Sequence, residues 1–306
     1  GLDESRGPGL DESRGPGLAE SRDPAEASLP PNPLLALAAA SRDLERELEK
    51  VMLPTDGSSP ASEPFVAYHI CTALTSRPLE PAAPPTPPPP PASPAPGTSR
   101  PRWAPPHSGS DDGAAHLLFV SNSMPVRDVT TFCGRTPRVL CNRGASGIDG
   151  ILHSAIGAAL AGRPGGSLTL LIGDLATLHD LSALATLANL APKLIVVLLN
   201  NAGGGIFRFL PIASHADVYS PYFDTPHGHA FGGACRGFGL PYTRVDTCAA
   251  FTNEYAAARA RSGPTVIEVA TDKEDNFARH TALKAAAAAV LRRNAAVGQL
   301  IEAATN

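Results

Sequence analysis

The chain has 306 residues, of which 32 are Pro and five are Cys, and a formal net charge of −4. That balance argues against nucleic acid or an anionic membrane surface as a partner, and no apolar run approaches the ~20 residues needed to span a bilayer. Cys71, Cys133, Cys141, Cys235 and Cys248 form no C-x-x-C pair, which speaks against zinc or a disulfide framework and for a reducing compartment.

Length alone suggests about two domains, but 23 of the 32 prolines fall in residues 1–115, so packed structure is expected mainly beyond them. The chain opens on Gly rather than Met and shows no signal-peptide apolar region, which reads as a fragment or as a sequence without its true start. Residues 1–24 repeat an eight-residue unit, GLDESRGP GLDESRGP GLAESRDP, with no apolar face, so disorder is expected over most of 1–61. Within that region 34–52 has the spacing of an amphipathic helix with a solvated, charged outer face.

Residues 62–75 hold a short core-facing helix, with Phe65, His69 and Ala73 on one side and Val66 and Ile70 beside them, where His69 is read as packing rather than as a ligand. Residues 76–115 are dominated by proline and read as an extended or disordered insertion. From residue 116 the texture changes. Strands are expected at 116–121, 138–141, 167–172, 194–199, 242–245 and 265–270. Helices are expected at 148–161, 178–190, near 206–210, at 229–238, 249–260 and 277–292, leaving 294–306 as a tail. Short, continuously apolar strands alternating with helices predict an α/β domain over 116–293, with a mainly parallel sheet covered on both faces.

Four of these strands end in polar or glycine-rich turns, at Ser121–Ser123, Asn142–Gly144, Gly173-Asp174 and Asn200-Asn201. In a right-handed βαβ crossover the two strands run parallel, so Asp174 and Asn201 arrive at the same carboxyl edge, where open α/β sheets bind ligands. An Asp carboxylate, an Asn carbonyl and backbone carbonyls are hard oxygen ligands suited to Mg²⁺ beside a diphosphate. An ordinary βαβ unit with a capping Asp and an Asn turn fits the same residues. Arg127 and Arg143 suit carboxylates or phosphates, or plain surface ion pairs. GASGIDG between a strand and a helix, with NNAGG after another strand, also resembles the short-chain reductases, which bind NAD(P). Their Tyr-x-x-x-Lys pair has its nearest counterpart in Tyr255 and Arg259, with Arg for Lys.

With SNSMPVRD, NRGASGIDG, GDLATLHDL and NNAGGGIFRFLP in view, and Asn201 standing 27 residues after Asp174, the chain resembles the thiamin-diphosphate enzymes. Within them it is similar to the branch serving menaquinone and phylloquinone biosynthesis, over about residues 116–293. The resemblance implies the thiamin-diphosphate-binding fold, with Mg²⁺ or Mn²⁺ held by Asp174, Asn201 and the Gly203 carbonyl. Gly173, Leu175 and Ala176 would lie at the diphosphate and Ser146 and Ile148 at the thiamin, Ile148 as the wedge that bends it. Ile206, Phe207 and Leu210 would be apolar walls, and Ser123, Arg127 and Arg143 would face substrate carboxylates.

The implied reaction is a transfer, in which 2-oxoglutarate is decarboxylated and the remaining unit joined to isochorismate. The implied complete enzyme is a soluble homodimer or homotetramer, in a plastid if the source is a photosynthetic eukaryote and cytoplasmic otherwise. Two departures stand out. Ala176 replaces a Ser or Thr, although Thr177 is adjacent. No glutamate is found in a position to activate the cofactor, those of residues 1–63 being assigned to low-complexity or solvated sequence, so the isolated chain is expected to be weak or inactive. A degenerate module kept only for association remains a third reading.

Overall fold

The computed structural model describes residues 33–53, 58–75, 116–134, 136–162 and 166–293. The eight-residue repeat, the proline-rich segment and the tail lie outside the described residues.

Six strands make one sheet: β1 (His116–Val120), β2 (Val139–Leu140), β3 (Ser167–Gly173), β4 (Leu194–Asn200), β5 (Tyr242–Val245) and β6 (Thr265–Ala270). Their order is β2-β1-β3-β4-β6-β5 and every neighbouring pair is parallel, as the continuous apolar runs require. All seven residues of β4, LIVVLLN, are buried, and in its register with β3 Leu171 faces Val197 and Gly173 faces Leu199.

Helices cover both faces. On one side α2 (Glu63–Thr75), α3 (Met124–Phe132) and α9 (Cys248–Ala260) pack Phe65, Ile70, Val129, Phe251 and Tyr255 against the sheet. On the other, α4 (Ile151–Ala161), α6 (Ala183–Leu190) and α8 (Gly232–Gly237) contribute Ile151, Ile156, Leu184, Leu187 and Cys235. A smaller cluster joins Leu48 and Met52 of α1 (Pro33–Met52) to Phe132 and to Leu283 of α10 (Lys273–Arg293), so Leu48 and Met52 are covered while Asp43, Arg46, Glu47 and Lys50 pair among themselves.

His69 packs as expected, stacked on Phe65 and edge-on to Phe251 and Tyr255 at ring-centre distances of 5.8, 5.6 and 6.1 Å. The five cysteines are free thiols. Among the described residues no helix is long and apolar enough to cross a membrane.

Several elements differ from the sequence expectation. The stretch SNSMPVR opens α3 rather than continuing as a loop, because Pro125 sits in the helix's first turn, where its missing N–H has no partner to lose. The helix expected from 148 begins at Ile151, after Gly150 turns the chain at φ 65°, which leaves Ile148 in the preceding turn. The crossover expected as one helix over 178–190 is two, α5 (Asp174–His179) and α6, parted at Asp180. The buried Asp180 carboxylate is taken by α4, accepting from His153 N at 2.9 Å and lying 2.5 Å from His153 Nδ1. Helix α10 starts four residues early because Asp272 caps it, its carboxylate accepting from Asp275 N at 2.7 Å. The segment 211–231 holds short turns of helix, at Pro211–Ser214, α7 (Ala216–Tyr219) and Ser220–Asp224.

Candidate functional site

The strand order turns at β1: the chain passes from β1 to β2 on one side and returns to β3 on the other. Such a reversal opens a crevice at the carboxyl edge of an open sheet. A cleft lies there, with an empty volume of about 640 Å³ that includes the open solvent at its mouth. The ends of β1, β3 and β4 form its floor. Of the anticipated residues, Ser123, Ile148, Gly173, Asp174, Leu175, Ala176, Asn201, Gly203, Ile206 and Phe207 line it together.

Asp174 is 3% exposed. Its Oδ1 accepts from Leu175 N at 2.7 Å, and its Oδ2 accepts from Gly203 N at 3.0 Å and faces His227 Nε2 at 3.1 Å. Burial raises the Asp174 carboxyl above its ordinary range, and the His227 and backbone bonds hold it partly back. Asn201 donates from Nδ2 to Glu63 Oε1 at 2.8 Å, while its Oδ1 is buried and has no hydrogen-bond partner.

The loop that carries Gly203 needs glycine. At φ 157° a Cβ on Gly203 would stand 2.3 Å from the Asp224 carbonyl oxygen, and one on Gly204 would stand 2.2 Å from that of Phe223. Asp224 also accepts from Gly204 N at 2.6 Å and pairs with Lys273 Nζ at 2.6 Å, which fixes the loop from outside the cleft.

An orphaned, buried amide oxygen beside a buried carboxylate fits a hard divalent cation. Among the described residues no three His, Cys, Asp or Glu side chains converge to hold a metal by themselves. A cation held here would need further oxygens, of the kind that phosphates and waters supply.

Glu63 corrects the sequence reading, which placed it in low-complexity or solvated sequence. It is 1% exposed and lines the same cleft. Burial pushes its carboxyl up to about 7, helped by the nearby Asp128 carboxyl and opposed by the Asn201 bond. The cause is tethering. Ser59–Ala61 runs against the turn after β5, with Ala61 N donating to Asp246 O at 2.8 Å and Cys248 N to Ser59 O at 3.0 Å, so the apolar face of α2 draws its first turn into the sheet. An acidic residue opening an otherwise apolar helix was the signal available in the sequence.

The arginines expected to face substrate do not line the cleft. Arg127 is exposed and folds back on its own turn, donating from Nη1 to Ser123 O at 2.7 Å. Arg143 is exposed and donates to Asn122 Oδ1 at 2.7 Å. Ser146, also exposed, donates to Arg143 O at 3.0 Å, and Leu210 is 49% exposed outside the lining. Asn122 organises this side: its Nδ2 donates to Asn142 O at 2.8 Å and to Gly147 O at 2.7 Å. Ser123, at φ 71°, holds a conformation a non-glycine residue rarely adopts, as residues at functional sites often do.

Thr177, the neighbour of Ala176, does not turn its hydroxyl to the cleft; it donates to Gly173 O at 2.9 Å. Asn200 and Asn201 separate in role. Asn200 Nδ2 donates to the fully buried Glu268 at 2.9 Å and to His229 O at 3.0 Å, which makes it structural. Tyr255, the candidate tyrosine of the reductase reading, is 1% exposed in the core beneath the sheet and bonds Thr169 Oγ1 at 2.9 Å, away from the cleft. Glu63, Asn122, Asp224 and His227 were not singled out as site residues from sequence. The last two lie in the long loop after β4, whose composition announces no contact.

Residues 128–269 match the family described as thiamine pyrophosphate enzyme, C-terminal TPP binding domain. A Rubrobacter xylanophilus protein named 2-succinyl-5-enolpyruvyl-6-hydroxy-3-cyclohexene-1-carboxylate synthase is 50% identical over 177 residues, 56% of this chain and 30% of that one. Proteins of the same name from Salinibacter ruber and Pelodictyon phaeoclathratiforme are 46% identical over 173 residues and 44% over 176, each alignment taking in 56% of this chain and 28% and 29% of the relative. The chain thus spans under a third of the length of the curated relatives it matches. Among solved structures, a thiamin diphosphate-dependent Mycobacterium smegmatis protein aligns over 52% of this chain and 29% of that one, at a TM-score of 0.43 and 22% identity, a likeness too loose to carry an argument.

Proposed function

We propose, from the match of residues 128–269 to the C-terminal TPP binding domain of the thiamine pyrophosphate enzymes, that this chain is the diphosphate- and metal-binding part of a synthase of the kind its relatives are named for. The observation that carries the reading is the buried, unpartnered Asn201 Oδ1 beside Asp174 at the carboxyl ends of β3 and β4. Asp174, Asn201 and the Gly203 carbonyl would hold Mg²⁺ or Mn²⁺, with Gly173, Leu175 and Ala176 at the diphosphate. Bound thiamin diphosphate supplies the chemistry by which a 2-oxo acid loses carbon dioxide and its remainder is transferred, here from 2-oxoglutarate to isochorismate.

The chain's own residues orient and exclude. Ile148, in the turn before α4, stands as the apolar wedge, with Ser146 on the same loop, and Ile206 and Phe207 wall the cleft against water. Ser123 lies at the substrate side. Arg127, in the first turn of α3, and Arg143, on the turn after β2, are each tied through Nη1, to Ser123 O and Asn122 Oδ1, and their other guanidinium donors would serve the carboxylates of two acidic substrates. Leu210 would close on the substrate from outside the present wall. Activation of the cofactor is assigned to a glutamate outside this chain, in a complete enzyme that is a homodimer or homotetramer in a reducing compartment, cytoplasmic or plastid by source.

Calorimetric titration of the chain with thiamin diphosphate and Mg²⁺ tests the reading. Metal-dependent binding is expected, with a loss of about 100-fold or more for Asp174→Ala, since a ligand to the metal is removed outright. Binding without metal dependence, or an Asp174→Ala variant that binds as the parent does, sinks it and favours the association module. Decarboxylation of 2-oxoglutarate by the isolated chain is expected to be absent or weak; robust turnover contradicts the assignment of the activating group to another chain or segment.

A further inference from the structure

The described residues offer other polar clusters, such as the buried Asp128–His280 pair at 2.9 Å and the exposed Arg208–Glu274 pair, but Glu63 touches Asn201 of the proposed site. It belongs to no motif singled out in the sequence. It lies 138 residues before Asn201, on the far side of the proline-rich segment from the rest of the site.

We propose that Glu63 is a positioning residue for the metal site, holding the Asn201 side chain by its amide nitrogen so that its amide oxygen faces the cation. The inference rests on the thiamin-diphosphate reading above. Three observations carry it. Asn201 Nδ2 donates to Glu63 Oε1 at 2.8 Å while Asn201 Oδ1, buried, has no partner. Thr271 Oγ1, just after β6, also donates to that same Oε1 at 3.3 Å, so this oxygen accepts from both neighbours. Finally, Glu63 is held by backbone rather than by chance contact: the Pro60–Thr247 bridge and the Ala61 N to Asp246 O bond fix the segment leading into it, and Ser62 Oγ lies 3.4 Å from Phe65 N at the start of α2.

The physical logic is that of an amide with two unlike ends. An Asn side chain is nearly symmetric in shape, so a rotation of 180° would present NH₂ to the cation and repel it. A neighbouring oxygen that accepts, as Glu63 Oε1 does here, selects one of the two orientations. Groups behind a ligand that orient it in this way commonly account for about 10- to 100-fold in metal affinity. Burying a carboxylate near that of Asp174 is unfavourable for the empty fold, which is the kind of local conflict that proteins retain at functional sites.

The test is Mn²⁺ binding in the presence of thiamin diphosphate, followed by the electron paramagnetic resonance signal of free Mn²⁺, on the full 306-residue chain. Glu63→Leu keeps the bulk and removes the acceptor, and it relieves the buried charge, so the variant should fold; its Mn²⁺ affinity is expected to fall about 10-fold or more. Glu63→Gln, whose Oε1 still accepts from Asn201, is expected to stay within about 3-fold of the parent. In an Asn201→Ala background, with Mn²⁺ raised to keep binding measurable, Glu63→Leu is expected to have no further effect, because the residue through which it acts is gone. Unchanged affinity in Glu63→Leu overturns the proposal, as does a loss of the same size with and without Asn201. Absence of Mn²⁺-dependent binding in the parent overturns the functional reading and this inference together, whereas parental binding with an indifferent Glu63 overturns this inference alone.

Discussion

At Gly203 a single hydrogen atom in place of a side chain decides the geometry of the proposed metal loop. A methyl group there would meet the Asp224 carbonyl at 2.3 Å, and backbone rather than a pliable side chain would have to move. Gly203→Ala is expected to destabilise the chain by about 1–3 kcal/mol in urea unfolding and to weaken metal-dependent cofactor binding, because its N–H would leave Asp174 Oδ2. His69 offers a different residue-scale test. Burial among aromatic rings, with a smaller contribution from the Arg259 charge, lowers its pKa below 6.5. A histidine held neutral in the fold contributes stability that is complete above about pH 6.5 and is lost as pH falls through the lowered folded value. His69→Phe keeps the stack and is expected to flatten that acid limb, read as a smaller fall in urea midpoint between about pH 7.5 and about pH 5 than the parent shows.

Among elements, the broken crossover between β3 and β4 is the informative one. Asp180 separates α5 from α6 because its carboxylate is engaged by the first turns of α4. Asp180→Ala leaves the His153 N–H without its acceptor and is expected to cost about 1–3 kcal/mol, measured as a fall in the urea midpoint. The strands were legible in the sequence because continuous apolar runs such as LIVVLLN belong to a strand buried on both faces, and the convergence of Asp174 with Asn201 followed from parallel pairing alone. The break at Asp180 was not legible, since it depends on a partner 27 residues away. Helix α3 was hidden by Pro125, which reads as loop until its place in the first turn is known. Glu63 was missed for the same reason as Asp180: local composition around an acidic residue suggests water, and only the tether to the turn after β5 brings it inside. Arg127 and Arg143 show the converse, residues whose type suited the chemistry but whose side chains are tied to Ser123 O and Asn122 Oδ1 outside the cleft wall.

At the scale of the whole molecule, α2 and β1 lie on either side of residues 76–115 in sequence yet share one core, in which Phe65 and Ile70 pack with Leu118 and Val120. A protease site placed within 76–115 and cut is therefore expected to leave the two pieces associated on gel filtration, with metal-dependent cofactor binding retained, because the contacts that seat Glu63 do not pass through the severed bond. Separation of the pieces would show that covalent continuity is needed. The long-range tie from Glu63 to Asn201 also makes ligand occupancy a gauge of assembly. Any species that binds only the folded chain deepens the native well by RT ln(1 + [L]/Kd), about 2.7 kcal/mol at a hundredfold excess over Kd. A preparation stripped of thiamin diphosphate and divalent metal should therefore be cleaved faster by proteases in α2 than one supplied with both, so that susceptibility near residue 63 reports on whether the other end of the chain has found its cofactor.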